Sequence, residues 1–151
     1  MFSSENYRII PQSSNAQFYN FLLESDKPLD SLEAAFTGYK RKIISPLHCV
    51  LVAETNAHIV GIAMAHEWDE YLMSGRQQIR FSTLYVLESF RRRGVGRALF
   101  ERIYDWAKSI DATWLEWYAS PNAVGFYESL GYEGTLNPDP YHTYYEINFQ
   151  R

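Results

Sequence analysis

Cysteine is almost missing from this chain, with one residue in 151, Cys49. A lone thiol closes no internal disulfide, and the run Cys49-Val50-Leu51-Val52-Ala53 reads as a buried strand, where a thiol is a small apolar group and not a nucleophile. Long apolar stretches are missing too. Nowhere do the roughly 18 consecutive apolar residues of a membrane-spanning helix occur, and Met1 to Asn6 offers neither the basic start nor the apolar centre of a secretory signal. Those absences read as a soluble, cytoplasmic protein that uses no membrane. Positive charge is in deficit: fourteen Lys and Arg face eighteen Asp and Glu, a net charge of -4, a poor match to nucleic acid as a partner. Of the histidines, His48, His58 and His142 stand at no metal-ligand spacing. No fixed-spacing repeat or long low-complexity tract is present.

What is present is ordinary in amount. The 46% hydrophobic and 21% charged residues suit a globular protein and exclude disorder, collagen and coiled coil. At 151 residues the chain reads as a single domain, residues 1–151, large enough to bury roughly 70% of its unfolded surface without a covalent staple. Aromatic residues are plentiful, 17% with twelve Tyr, enough to line a large core or a partly apolar pocket.

Periodicity lays out the elements. Tyr7-Arg8-Ile9-Ile10-Pro11 reads as a short strand, and Gln12-Ser13-Ser14-Asn15 offers caps for a helix with Phe18, Phe21 and Leu22 inward. Asp30-Ser31-Leu32-Glu33 has a capping-box spacing and announces a second helix with Leu32, Ala35, Phe36 and Tyr39 at helical intervals. Apolar runs at His48 to Glu54 and Ile59 to Trp68 flank a hairpin turn at Thr55-Asn56-Ala57-His58, and Ile79 to Val86 follows a polar connection around Ser74-Gly75-Arg76, so three strands form an antiparallel meander. Val95, Leu99, Ile103, Trp106 or Ala107, and Ile110 then mark one face of a helix starting near Gly94. Thr113 to Ala119 returns to strand. Ser120-Pro121 supplies a cap with proline at the first helical position, and Ala123, Phe126, Tyr127 and Leu130 share a face up to Gly131, a left-handed terminator. Tyr132 to Thr135 and His142 to Phe149 close the chain as strands around Pro138-Asp139-Pro140. The order is β-α-α-β-β-β-α-β-α-β-β, an α/β fold with a mixed sheet.

The sharpest local feature joins a strand, a basic turn and a glycine-rich helix start: Leu84-Tyr85-Val86-Leu87-Glu88-Ser89-Phe90-Arg91-Arg92-Arg93-Gly94-Val95-Gly96-Arg97. The first N–H groups of a helix have no internal partners and sit at the positive end of its dipole, which makes an anion site. Gly94 and Gly96 let an anion approach, and Arg91, Arg92, Arg93 and Arg97 add charge where cations disfavour a helix unless an anion offsets them. The segment reads as a phosphate or pyrophosphate cradle; without the Lys-Ser/Thr pair of a P-loop or the third glycine of a dinucleotide fingerprint, ATP and NAD are disfavoured. A solvated basic turn is the alternative reading.

Here the chain resembles the GNAT superfamily of N-acetyltransferases, whose signature (Arg/Gln)-x-x-Gly-x-(Gly/Ala) is matched by Arg91-Arg92-Arg93-Gly94-Val95-Gly96. The flanks Leu84-Tyr85-Val86 and Phe126-Tyr127-Glu128-Ser129-Leu130-Gly131-Tyr132 extend the likeness. The resemblance implies a GNAT-like fold, a mixed, mostly antiparallel sheet of about seven strands flanked by about four helices. It implies acetyl-CoA as acetyl donor, its pyrophosphate on the backbone from Arg92 to Arg97, its pantetheine arm on Leu84, Tyr85 and Val86, and an N–H near Val86 facing the thioester oxygen. Ser120 stands where the family often has an Asn that touches the same arm. Tyr127 matches the family's general acid. Dimers are frequent in the superfamily, so a homodimer is compatible with the likeness.

The amine must lose a proton, since a group of pKa about 10.4 is almost entirely charged at neutral pH. Some family members place a Glu two residues before Leu84; here that position is Ser82, leaving Glu67, Asp69, Glu70, Glu116 and His66 as base candidates, Glu116 and Glu67 foremost. Strand alternation splits His66 and Glu70 from Glu67 and Asp69, so that cluster reads as a solvated strand end and no metal is expected. The acids with Trp68 and Tyr71 suit a small cationic amine, and Tyr39 of the early helices is expected to cover the acceptor. Direct attack in a ternary complex is expected, since Cys49 lies in a core strand. The alternatives are acetylation of a protein N-terminus or lysine, a non-catalytic acyl-CoA sensor, and a basic interaction surface without cofactor.

Overall fold

Two-residue turns with both residues left-handed match the twist of antiparallel strands, and Asn56 and Ala57, at φ 49° and 64°, make such a turn. It joins β2 (His48–Thr55) to β3 (His58–Glu67). Residues 7–11, 14–26, 29–68, 73, 75–136 and 141–150 are described in this computed structural model. The remaining elements are β1 (Arg8–Ile10), α1 (Asn15–Glu24), α2 (Leu32–Lys42), β4 (Gln78–Val86), a 3-10 turn (Glu88–Phe90), α3 (Val95–Ser109), β5 (Trp114–Ala119), α4 (Pro121–Ser129), β6 (Thr135–Leu136) and β7 (Thr143–Asn148). Among the described residues, seven strands are hydrogen-bonded in the order β1-β2-β3-β4-β5-β7-β6.

Strand directions follow from the registers. β1 runs antiparallel to β2, and β7 antiparallel to both β5 and β6. Trp68 N–H donates to Gln78 O and Leu87 N–H to Val60 O; one number rises as the other falls, so β3 and β4 are antiparallel, as the meander requires. The exception is β4 with β5, parallel over Gln78↔Trp114 to Arg80↔Glu116. The sheet is therefore mixed and mostly antiparallel.

By spatial contact between backbone positions the chain resolves into two compact units, Met1–Ala65 with Thr83–Ile103, and His66–Ser82 with Tyr104–Arg151. In the first, Ser14 and Ser31 accept the N–H groups of Gln17 and Ala34 and so start α1 and α2. Phe18, Phe21 and Leu22 turn inward as their spacing predicts. Tyr39 lies stacked on Phe18, rings 3.8 Å apart, and is buried; it is a core residue, which corrects its expected place over an acceptor. Val95, Leu99 and Ile103 of α3 are also buried, each worth roughly 1.5–3 kcal/mol over exposure. Gly61 of β3 lets that helix approach: a Cβ there would stand 3.1 Å from Leu99 and 3.2 Å from Val95. Further along α3, Ala107 and not Trp106 is the buried residue.

The second unit is built around aromatic rings on β5, β7 and α4. Trp117 and Tyr145 are register partners and stack in parallel at 5.3 Å. α4 ends in a Schellman motif, with Gly131 at φ 94° and the N–H groups of Tyr132 and Gly131 on the carbonyls of Tyr127 and Glu128. The strand expected over Tyr132 to Thr135 is shorter and later, Thr135–Leu136, because the Schellman bonds hold Tyr132 at the helix end. Pro138-Asp139-Pro140 lies outside the described residues. Ser120 occupies the cap position of α4, but its side chain makes no capping bond, so Pro121 sets the helix start without it.

Gly134 is the tightest point of this unit. A Cβ there would lie 2.2 Å from the Thr143 methyl and 2.8 Å from Cζ of the buried Tyr145 ring. Gly134→Ala is therefore expected to destabilise the protein by about 1–3 kcal/mol, read as a lower urea midpoint; an unchanged midpoint would show that β7 yields freely.

Candidate functional site

In the first unit, β4 gives way to α3 through a turn that two left-handed residues shape: Arg92 at φ 60° and Gly94 at φ 86°. Glycine reaches that region without strain and arginine does not. The N–H of Ala98 donates to Gly94 O at 3.0 Å, so the N–H groups of Val95, Gly96 and Arg97 precede the first bond of the helix and lack intrahelical partners. A Cβ built on Gly94 meets nothing within 4 Å. Open space thus lies beside the positive end of a helix dipole, which fits a phosphate group.

The arginines serve the turn as much as any anion. Arg91 donates from Nε to Val86 O at 2.8 Å, reaches Asp26 at 3.4 Å and lies over the Tyr85 ring. Arg93 covers Phe90, and Arg97 pairs with Glu101 one turn along at 3.0 Å. The N–H of Leu87 is taken by Val60 O. Val86, one residue earlier, turns its carbonyl to Arg91 at the β4 edge.

Beside this edge an open cleft of about 530 Å³ is lined by Glu24, Asp26, Tyr85, Leu87, Glu88 and Ser89. The Tyr85 hydroxyl donates to Asp26 Oδ1 and accepts the Asp26 N–H at 2.9 Å. That bond, and then the Arg91 charge, hold the Asp26 carboxyl below its ordinary range, while burial and Asp26 push the Tyr85 phenol up. Sequence reasoning missed Glu24, Asp26 and Glu88. The contacts of Asp26 join residues 59 and 65 positions apart, and no local pattern signals such a pairing.

In the second unit, Tyr127 is buried with its ring 5.3 Å from both Trp117 and Tyr145. Burial first, and the neighbouring Tyr145 phenol second, push its hydroxyl well above the usual phenol value, so it stays protonated and able to donate. Glu116 lies on the opposite face of β5 from Trp117, buried, with Oε1 on Arg80 at 2.7 Å and Oε2 on the Tyr144 hydroxyl at 2.7 Å. Both oxygens are engaged, which makes Glu116 the hub of a polar network. Arg80 is also covered by Trp68, its guanidinium carbon 4.3 Å from the ring centre. Glu67 accepts from Gln77 Nε2. Asp69, Glu70 and Tyr71 lie outside the described residues. Among the described residues, no group of three or more His, Cys, Asp or Glu is placed to hold a metal, and no helix is long and apolar enough to cross a membrane.

Cys49 sits in β2, and burial pushes its thiol up to about 11 against the opposing charge of Arg102. At pH 8 so little is thiolate that alkylation by iodoacetamide is expected to be about two orders of magnitude slower in the folded protein than in urea. Equal rates would mean an accessible, reactive thiol.

The acetyltransferase (GNAT) domain family matches residues 46–134, more than half of the chain and inclusive of the β4–α3 turn and Tyr127. No curated protein sequence matches. Among solved structures, the GNAT domain of S. lividans PAT superposes with a TM-score of 0.79 at 15% identity, covering 95% of this chain and 90% of that one. The PaiA N-acetyltransferase of Thermoplasma acidophilum, in complex with coenzyme A, gives 0.73 at 14% identity over 95% and 99%. The aminoglycoside N-acetyltransferase AAC(6')-Iy, in complex with CoA, gives 0.72 at 18% identity over 87% and 89%. With its fold shared by these structures and most of its length matched to the family, the chain belongs to the GNAT acetyltransferases and is an acyltransferase.

Proposed function

We propose that residues 1–151 act as one N-acetyltransferase domain that moves the acetyl group of acetyl-CoA to a primary amine of a small cationic molecule. The observation that carries this is the open, left-handed turn at the start of α3, with unpaired N–H groups behind Gly94 and no atom within 4 Å of its would-be Cβ. That geometry fits the pyrophosphate of the donor. When bound, acetyl-CoA supplies an activated acetyl group on sulfur. The backbone from Arg92 to Arg97 holds the pyrophosphate, and Leu84 and Val86 offer backbone groups on the β4 edge to the pantetheine arm.

Tyr127 is the proton donor to the departing sulfur, a role suited to a phenol that burial keeps protonated. Glu67 is the candidate for taking up the amine's proton through water, ahead of Glu116, whose two oxygens are already engaged by Arg80 and Tyr144. The cleft with Glu24, Asp26 and Glu88 beside the Tyr85 ring supports a cationic acceptor, since carboxylates and an aromatic face both attract an ammonium group.

Thiol release from acetyl-CoA across polyamines, amino acids, aminoglycosides and short peptides tests the reading. Release is expected with one class of cationic small amine; release only with peptides would move the acceptor to proteins, and none with any amine would sink the enzyme. Tyr127→Phe is expected to lower kcat about a hundredfold with KM for acetyl-CoA unchanged, and a wild-type kcat would remove Tyr127 from the chemistry. Acetyl-CoA at about 100 times its Kd is expected to stabilise the wild type by about 2.7 kcal/mol. In Gly94→Val, whose side chain would fill the open turn, that ligand-dependent rise in melting temperature should vanish; if it persists, the pyrophosphate lies elsewhere.

A further inference from the structure

Tyr7, the residue just ahead of β1, reaches across 87 positions of sequence. Its hydroxyl donates to the carbonyl oxygen of Gly94 at 3.3 Å, so the start of the first strand touches the turn that opens α3. Strand pairing fixes where this phenol stands. Arg8 is the register partner of Glu54 on β2 and donates to that buried carboxylate at 2.9 Å, which ties down the strand end beside Tyr7. Burial first, and the Glu101 carboxylate on α3 second, push the Tyr7 phenol above its ordinary value. It keeps its proton at neutral pH and stays a donor.

The carbonyl it meets belongs to a peptide that faces both ways. A trans peptide points its C=O and its N–H in opposite directions, and among the described residues no peptide bond is cis. Opposite the Gly94 carbonyl is therefore the Val95 N–H, one of the unpaired donors at the mouth of α3. Glycine restricts its own backbone angles little, so sterics alone leave the peptide after Gly94 poorly held. The helix restrains it by one bond, from the Ala98 N–H at 3.0 Å, and bonds at the end of a helix are among the first to open. Tyr7 adds a second bond to the same oxygen from outside the helix.

We infer that Tyr7 is a positioning residue for the donor's pyrophosphate: by holding the Gly94 carbonyl, its hydroxyl keeps the Val95 N–H turned outward from the helix mouth, ready for a phosphate oxygen. The inference rests on the reading of this turn as the pyrophosphate site. A donor that already points outward needs no rearrangement when the anion arrives. The hydroxyl acts through Gly94 and not on the acetyl group, so its loss is felt in donor affinity and leaves the transfer step alone.

The test compares wild type, Tyr7→Phe and Gly94→Val for melting temperature, for the Kd of coenzyme A by calorimetry, and for kcat and KM of acetyl-CoA with the acceptor giving fastest thiol release. Gly94→Ala, whose smaller side chain also enters the open turn, replaces the valine variant if that one does not fold. Tyr7→Phe keeps the ring and removes only the hydroxyl. It is expected to melt within about 2 °C of wild type and to bind coenzyme A about three- to tenfold more weakly, the worth of one neutral hydrogen bond. KM for acetyl-CoA should rise with it, while kcat at saturating donor stays the same. The calorimetric arm needs no acceptor. A wild-type Kd in Tyr7→Phe, alongside a glycine variant that has lost coenzyme A, overturns this inference and leaves the pyrophosphate in the turn. A lower kcat with unchanged Kd also overturns it, as does a larger drop in melting temperature, since the hydroxyl would then serve the chemistry or the fold. A folded glycine variant that binds coenzyme A as wild type does instead brings down the reading of the turn itself.

Discussion

The backbone reversal between β4 and α3 is the constraint on which the first unit depends. It requires two left-handed residues, Arg92 and Gly94, and only one of them is a glycine. A left-handed arginine is strained by about 1–2 kcal/mol, and the fold around it supplies the compensation. Arg91 clamps the carbonyl of Val86, the 3-10 turn is pinned by Phe90 N–H on Leu87 O, and Val95 and Leu99 anchor the helix immediately beyond. The anchoring works because Gly61 brings β3 within contact of both side chains. Helix start, strand end and sheet surface are thus fixed together, and the orphan N–H groups of α3 are held facing open space instead of being folded back into a tighter turn.

This arrangement changes what the arginine run means. As a sequence, four arginines around a helix start look like a pool of positive charge waiting for an anion. In the fold, Arg91, Arg93 and Arg97 each have a protein partner, a carbonyl and a carboxylate, an aromatic face, and a glutamate one turn along. Exposed pairs of this kind contribute little to stability, about 0–1 kcal/mol each, but they give these side chains partners of their own. The fixed, uncharged N–H dipoles are then the groups best placed to meet a phosphate. They are also the groups that a side-chain substitution cannot remove, which is why the decisive change in this turn is at a glycine.

Much of the architecture was legible because it is written in local periods. The α3 face, the Asn56-Ala57 hairpin, the inward Phe18 and Phe21, the Gly131 terminator and the glycine-bearing turn before α3 all follow from spacing or from residues with special backbone demands. Three features were not legible, for one shared reason. Asp26 with Tyr85 and Arg91, Glu116 with Arg80 and Tyr144, and Tyr39 on Phe18 are partnerships across at least 59, 28 and 21 positions, closed by the fold and not by any local pattern. Sequence assigns a carboxylate to an element and a face; whether it is an open base or a bonded hub depends on what tertiary structure brings opposite. Glu116 shows the difference: a reasonable base by position on β5, it has both oxygens engaged.

The abundance of tyrosine, ambiguous in the sequence between core and pocket, is core in the second unit. Trp117, Tyr127, Tyr132 and Tyr145 pack ring against ring, which is core packing by any geometric measure. A phenol differs from phenylalanine only in a hydroxyl that dislikes such surroundings when charged, and burial therefore favours the neutral form of Tyr127. The same packing that stabilises the unit keeps a proton on the one oxygen that would be asked to give it up. Core and acid are not competing readings of Tyr127: a donor that must remain protonated until a thiolate forms needs the low-dielectric, ring-lined setting that also makes it look structural.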